Sequence, residues 1–164
     1  MNLTVLNSPN QSDRPASAKV KVLVLHGDVA PSAKSSISWL MSTDAQASYH
    51  YIIERNGDIT QLVPESRKAW HAGTSSFFGQ TNVNDFSIGV CFSNKQNGIE
   101  PFDARAIASG VELCAGIMRK HGIGLECVVS HEQIARPMGR KSDPTPMFPF
   151  GAFITAIRLR LSHP

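Results

Sequence analysis

A chain of 164 residues with 41% hydrophobic content can bury one ordinary core and is too short for two comfortable ones, so a single domain is expected. Its net charge of +3 is scattered without a block of like charges, which excludes a polyanion-binding tail. Three cysteines, Cys91, Cys114 and Cys127, lie far apart and are odd in number, which argues against a disulfide framework and for a reducing compartment.

The opening stretch, "MNLTVLNSPNQSDRP", has no basic region followed by an apolar run of signal length, and no apolar run reaches the roughly 18 residues of a membrane span. A cytoplasmic protein without membrane insertion is expected. Residues 8–19 are rich in Ser, Pro, Asn and Asp, so residues 1–19 are read as a loose arm before a domain spanning 20–164. "VKVLVLH" (20–26) is almost continuous in branched aliphatics, as in a strand covered on both faces. A short helix follows, with Ile37, Leu40 and Met41 at helical spacing. "YHYIIERNGDITQLVP" is two β-rich runs around Asn56-Gly57, which predicts a tight hairpin. Strand alternation would send Tyr49 and Tyr51 to one face and His50 to the other.

Residues 67–86 show no sustained period and read as a long ordered loop, the kind of segment that tends to carry function. "SIGVCFS" (87–93) is a second buried strand, and 103–122 is a helix opened by Asp103 and closed by Gly122. "LECVVSH" (125–131) is a last strand ending at His131, and "PFGAFITAIRLRLS" is a closing helix. The sum is an α/β (α+β) domain: a mixed, mostly covered β-sheet of about five strands flanked by helices.

His26 and His131 both end strands, and covered sheets place their sites at such ends, so the two can converge although distant in sequence. Asp143 lies on the loop that follows His131. Two imidazoles and a carboxylate are a common ligand set for catalytic zinc, which leaves a position for a water of pKa about 7. Taken singly, a histidine at a strand end is more often a hydrogen-bonded structural residue, and an Asp before Pro is usually a turn residue. Lys141 is either a solvated loop charge or a cation beside an oxyanion. Tyr49 is either an ordinary strand aromatic or a phenol directed at the reacting group, and His71 either loop polarity or a substrate contact. The chain has no GxSxG elbow, P-loop, GxGxxG or CxxC, and Cys91 has no evident base to make it a nucleophile.

"VLVLH", "YHYIIERNGDITQLVP", "AWHAG", "NDFSIGV" and "SHEQIARPMGRKSDP" occur in an order and spacing that resemble the type 2 N-acetylmuramoyl-L-alanine amidases. These include phage lysozyme-amidases, cytoplasmic anhydromuropeptide amidases and peptidoglycan recognition proteins, and the resemblance covers residues 20–160. It implies zinc held by His26, His131 and Asp143, catalytic roles for Tyr49 and Lys141, and a substrate wall that includes Trp70, His71 and Asn84. It also implies hydrolysis of the amide between N-acetylmuramic acid and L-alanine of the stem peptide. The expected partner is peptidoglycan or a muropeptide, with no nucleic acid, and the protein is expected to be a monomer. The sequence departs from the cytoplasmic bacterial branch at Cys91, where that branch carries a Glu, and shares Tyr49 with the phage branch. That combination leaves the general base open; the missing signal peptide, cysteines in stretches that read as buried and a single compact domain suit an endolysin of phage or prophage origin, the expected setting. The alternatives are a recycling anhydromuropeptide amidase and a peptidoglycan-binding module without activity.

Overall fold

β3 (Val22–Asp28) and β9 (Ser87–Ser93) are buried along their whole length and pair in parallel. In the computed structural model, which describes residues 2–30 and 32–163, they form the centre of a six-stranded sheet. β9 pairs on its other side with β4 (Tyr51–Ile53), β4 with β5 (Ile59–Gln61), and β5 with the edge strand β1 (Leu3–Val5). β10 (Val128–Ser130) closes the opposite edge beside β3. Only the β4–β5 pair is antiparallel, so the sheet is mixed.

Alternation along the central strands divides the molecule. Leu23 and Leu25, with Ile88, Val90 and Phe92, face the helices α2 (Ala104–His121) and α4 (Phe150–Ser162) in the main core. Val22, Val24 and Cys91 face the other way, toward α1 (Ala33–Leu40), the short α3 (His131–Ile134) and the loops. α2 is placed by the caps legible in its sequence. The Asp103 side chain accepts from the Arg105 N–H, and Gly122 adopts the left-handed φ of 68° that ends the helix. Gly110 lets α2 sit close to the sheet, because a Cβ there would stand 2.5 Å from the Phe92 ring. The same helix delivers Lys120 and His121 to the buried Glu65, whose other carboxylate oxygen accepts from the Tyr51 hydroxyl at 2.7 Å.

Several expectations need correction. The first nineteen residues are not a loose arm: β1 adds the sixth strand, and β2 (Gln11–Asp13) pairs antiparallel with β6 (Arg67–Ala69). Arg14 then donates to the carbonyls of Glu65, Asn84, Asp85 and Ser87 at 2.8–3.2 Å. The segment 67–86 holds β6, the small ribbon β7 (Ser76–Phe77) and β8 (Gln80–Thr81), and a 3-10 turn over Val83–Phe86. These pieces are too short to print a period on the sequence.

The hairpin is present, but its loop is wider than a two-residue turn. Glu54 pairs with Asp58, the Gly57 N–H bonds back to the Glu54 carbonyl, and only Gly57 takes a positive φ, 89°. That is a type I turn followed by a left-handed glycine. The last strand stops at Ser130, whose side chain caps α3, so His131 opens a helix. Among the described residues no helix is long and apolar enough to cross a membrane, and the three cysteines are free.

Candidate active site

β3 carries His26 on the face away from α2, fully buried. The Ser130 cap starts α3 at His131 beside it, since β10 and β3 are neighbours. The loop after α3 returns Asp143 to the same place. His26 Nδ1 stands 3.2 Å from Asp143 Oδ2, and His131 Nδ1 stands 3.0 Å from Asp143 Oδ1. The Gly27 N–H also reaches Asp143 Oδ2, at 3.4 Å. One ligand atom from each of the three residues lies within 4.8 Å of the others.

The charges of this trio decide what it can hold. Burial pushes His26 down to about 4, so it is neutral in ordinary solution. His131 Nε2 lies 3.2 Å from the Ala72 carbonyl, an acceptor only, so Nε2 carries a hydrogen and the neutral ring has its lone pair on Nδ1. In its neutral form His131 then turns the Nδ1 lone pair toward the Asp143 carboxylate, an arrangement that repels unless a cation lies between them. Two imidazole nitrogens and a carboxylate oxygen are the donor set of a catalytic zinc site, and the residues fit that ion.

A cavity of about 490 Å³ opens over His131 and Asp143, walled by Tyr49, Trp70, Gln96, Lys141 and Thr145 among others. Tyr49 stands with its ring centroid 5.0 Å from that of His26. Burial raises its hydroxyl well above 10, so it remains a protonated donor. Cys91 is fully buried in the apolar cluster on which Tyr49 packs, and burial raises its thiol well above 9, which keeps it inert. Lys141 is exposed on the rim.

The alternation expected for 49–51 does not hold. Tyr51 packs with the main core against α2, while Tyr49, just ahead of the strand, reaches the His26 side. His50 lies inside the fold: its Nδ1 accepts from the Gly89 N–H at 3.0 Å, which leaves Nε2–H for the Arg67 carbonyl.

Of the residues expected to wall the substrate groove, Trp70 lines the cavity and donates its indole N–H to Ser12. His71 touches the cavity but is 6% exposed, and its two ring nitrogens meet His26 and Ser87. Asn84 lies outside the cavity lining; its side-chain oxygen accepts from the N–H groups of both His71 and Ala72.

Sequence reasoning missed Gln96. It has a left-handed φ of 52°, covers Gly27, and accepts from the Thr145 N–H at 2.9 Å, which ties the Asp143 loop to the end of β3. Nothing in the local sequence marks a lone glutamine for that task.

A family model described as N-acetylmuramoyl-L-alanine amidase matches residues 16–146. The chain is 40% identical over 146 residues to N-acetylmuramoyl-L-alanine amidase AmiD of Escherichia coli (strain K12), covering 80% of this chain and 51% of that protein. It is 35% identical over 114 residues to 1,6-anhydro-N-acetylmuramyl-L-alanine amidase AmpD of Haemophilus influenzae, covering 69% and 60%. The chain therefore spans about half to three fifths of these relatives. Among solved structures, a selenomethionine AmpD derivative superimposes with a TM-score of 0.82 at 24% identity over 94% of each chain, a likeness of fold. E. coli AmiD in complex with the substrate anhydro-N-acetylmuramic acid-L-Ala-D-gamma-Glu-L-Lys superimposes with a TM-score of 0.74 at 34% identity, covering 87% of this chain and 60% of that one.

Proposed function

Because the chain belongs to the N-acetylmuramoyl-L-alanine amidase family, we propose that it is a zinc-dependent amidase. It cleaves the amide between the lactyl group of an N-acetylmuramic acid unit and the L-alanine of the stem peptide, with anhydromuropeptides as substrate. The observation that carries the reading is the convergence of His26, His131 and Asp143 within 4.8 Å of one another, beside a cavity that His131 and Asp143 line. The choice of soluble anhydromuropeptide is supported by the names of the relatives and by the ligand of the AmiD complex.

An amide is a weak electrophile with a poor leaving group; zinc, when bound, supplies a Lewis acid and an acidified water. His26 and His131, both buried, and the partly exposed Asp143 would hold the ion. Lys141 brings an ammonium from the rim to the oxygen on which negative charge develops. Tyr49, protonated across the working range, orients the substrate carbonyl or the attacking water through its hydroxyl. Trp70 forms an aromatic wall for the muramyl peptide.

A second setting, lysis of intact wall by an endolysin, uses the same bond and is favoured by Tyr49 standing at the site. Incubation with soluble anhydromuropeptide and, separately, with intact sacculi tests both. Release of stem peptide from the soluble fragment alone is expected; release from sacculi at a comparable rate would move the assignment to lysis. Chelation is expected to abolish release and added zinc to restore it. A folded protein that takes up no zinc and releases no peptide would end the reading.

A further inference from the structure

His26 offers its two ring nitrogens to different surroundings. Nδ1 faces Asp143, while Nε2 meets His71 Nδ1, 3.0 Å distant. Which nitrogen carries hydrogen follows from the far end of a chain of contacts. The Ser87 hydroxyl donates to the Val83 carbonyl at 2.7 Å, so its oxygen is left to accept from His71 Nε2–H at 3.1 Å. A neutral imidazole with its hydrogen on Nε2 has a bare Nδ1. His71 therefore accepts from His26 Nε2–H, and the lone pair of His26 Nδ1 is turned to Asp143.

His131 is treated in parallel by the next residue, through the Ala72 carbonyl. The pair 71–72 is itself fixed, because Asn84 Oδ1 accepts both of its N–H groups at 3.1 and 2.8 Å. Room for the His71 ring comes from Gly89, where a Cβ would stand 2.6 Å from His71 Cγ.

We propose that His71 is a positioning residue, which together with the Ala72 carbonyl and under the hold of Asn84 fixes both ligating histidines in the tautomer that leaves Nδ1 free for a cation. The purpose, though not the geometry, rests on the zinc reading above. Partners that fix a ligand's ring orientation typically change metal affinity by about 10–100-fold when removed. An imidazole in that role, in place of a carboxylate, adds no charge beside the trio.

The test is NMR of the zinc-free protein labelled with nitrogen-15 at histidine, near neutral pH. Long-range proton–nitrogen spectra are expected to show His26, His71 and His131 each with hydrogen on Nε2. His71→Phe keeps the ring volume and removes the acceptor. It is expected to give His26 a mixture of tautomers, leave His131 unchanged, and raise the zinc dissociation constant by about 10–100-fold. His71→Asn places an amide oxygen where Nδ1 stood and is expected to recover most of both. Hydrogen on His26 Nδ1 in the parent protein overturns the proposal without any variant. So does a folded His71→Phe protein with unchanged tautomer and zinc affinity. A parent protein with the expected tautomers that takes up no zinc overturns the functional reading, and the purpose assigned to His71 with it.

Discussion

Tyr49 and Lys141 approach the histidine–carboxylate trio from opposite ends of the sequence, and neither holds the trio together. Replacing them should therefore separate chemistry from metal binding. Lys141→Ala is expected to keep stoichiometric zinc and lose about 10²–10³ in kcat, the usual effect of removing one oxyanion donor. Tyr49→Phe removes only the hydroxyl and is expected to lower kcat while the fold and zinc content stay as they were. Metal analysis beside steady-state rates on anhydromuropeptide checks both, and full activity in either variant removes that residue from the mechanism. At this scale the sequence conveyed residue types but not their depth. "AWHAG" looks like a groove-lining loop because Trp and Gly flank the histidine. The fold turns His71 beneath His26 instead, since Asn84 draws the backbone of 71 and 72 inward. That contact spans thirteen positions in a stretch without period, and no local pattern records it.

Elements with their own punctuation are legible: α2 begins and ends at the caps expected of Asp103 and Gly122, and β9 has the bounds expected of "SIGVCFS". Elements made by their neighbours are not. β1 is three residues whose side chains are exposed, and it exists as a strand because β5 offers it a free edge. The two-residue strands β7 and β8 likewise depend on each other. Gly110 illustrates how packing overrides propensity. Alanine there gains about 1 kcal/mol of helix propensity, yet its methyl would press on Phe92 and Phe153, both fully buried. Overpacking of this kind costs about 1–3 kcal/mol. Gly110→Ala is therefore expected to be neutral to destabilising by about 2 kcal/mol in urea unfolding, against the sign that propensity alone gives.

The whole molecule is tied together by groups that contribute little to the cavity itself. Arg14 alone answers four carbonyls, those of Glu65, of Asn84 and Asp85 in the 3-10 turn, and of Ser87 at the start of β9. Arg14→Ala is expected to cost about 1–3 kcal/mol of stability, because four part-buried carbonyls lose their donor. Lysine should not rescue it, since one ammonium cannot span the same fork. Glu65 is the second tie. Burial alone would raise its carboxyl, but Lys120, His121 and Tyr51 outweigh that and hold it at about 2, below its ordinary 4.5. A carboxyl depressed on folding stabilises the native state above its unfolded value, and that stability is lost as pH falls through the folded one. The urea midpoint should thus fall between pH 4.5 and 2, and less steeply in Glu65→Gln.

The alternation of β9 carries one more consequence. Ser87, Gly89 and Cys91 serve the site side, and Ile88, Val90 and Phe92 serve the core. Core and chemistry are thus written on one strand as odd and even positions. Inserting or deleting a single residue there would exchange the two sets, setting isoleucine or valine where the imidazole needs space and serine against α2. The constraint is one of parity: β9 can accept many changes of side chain on either set, but no change of length by one.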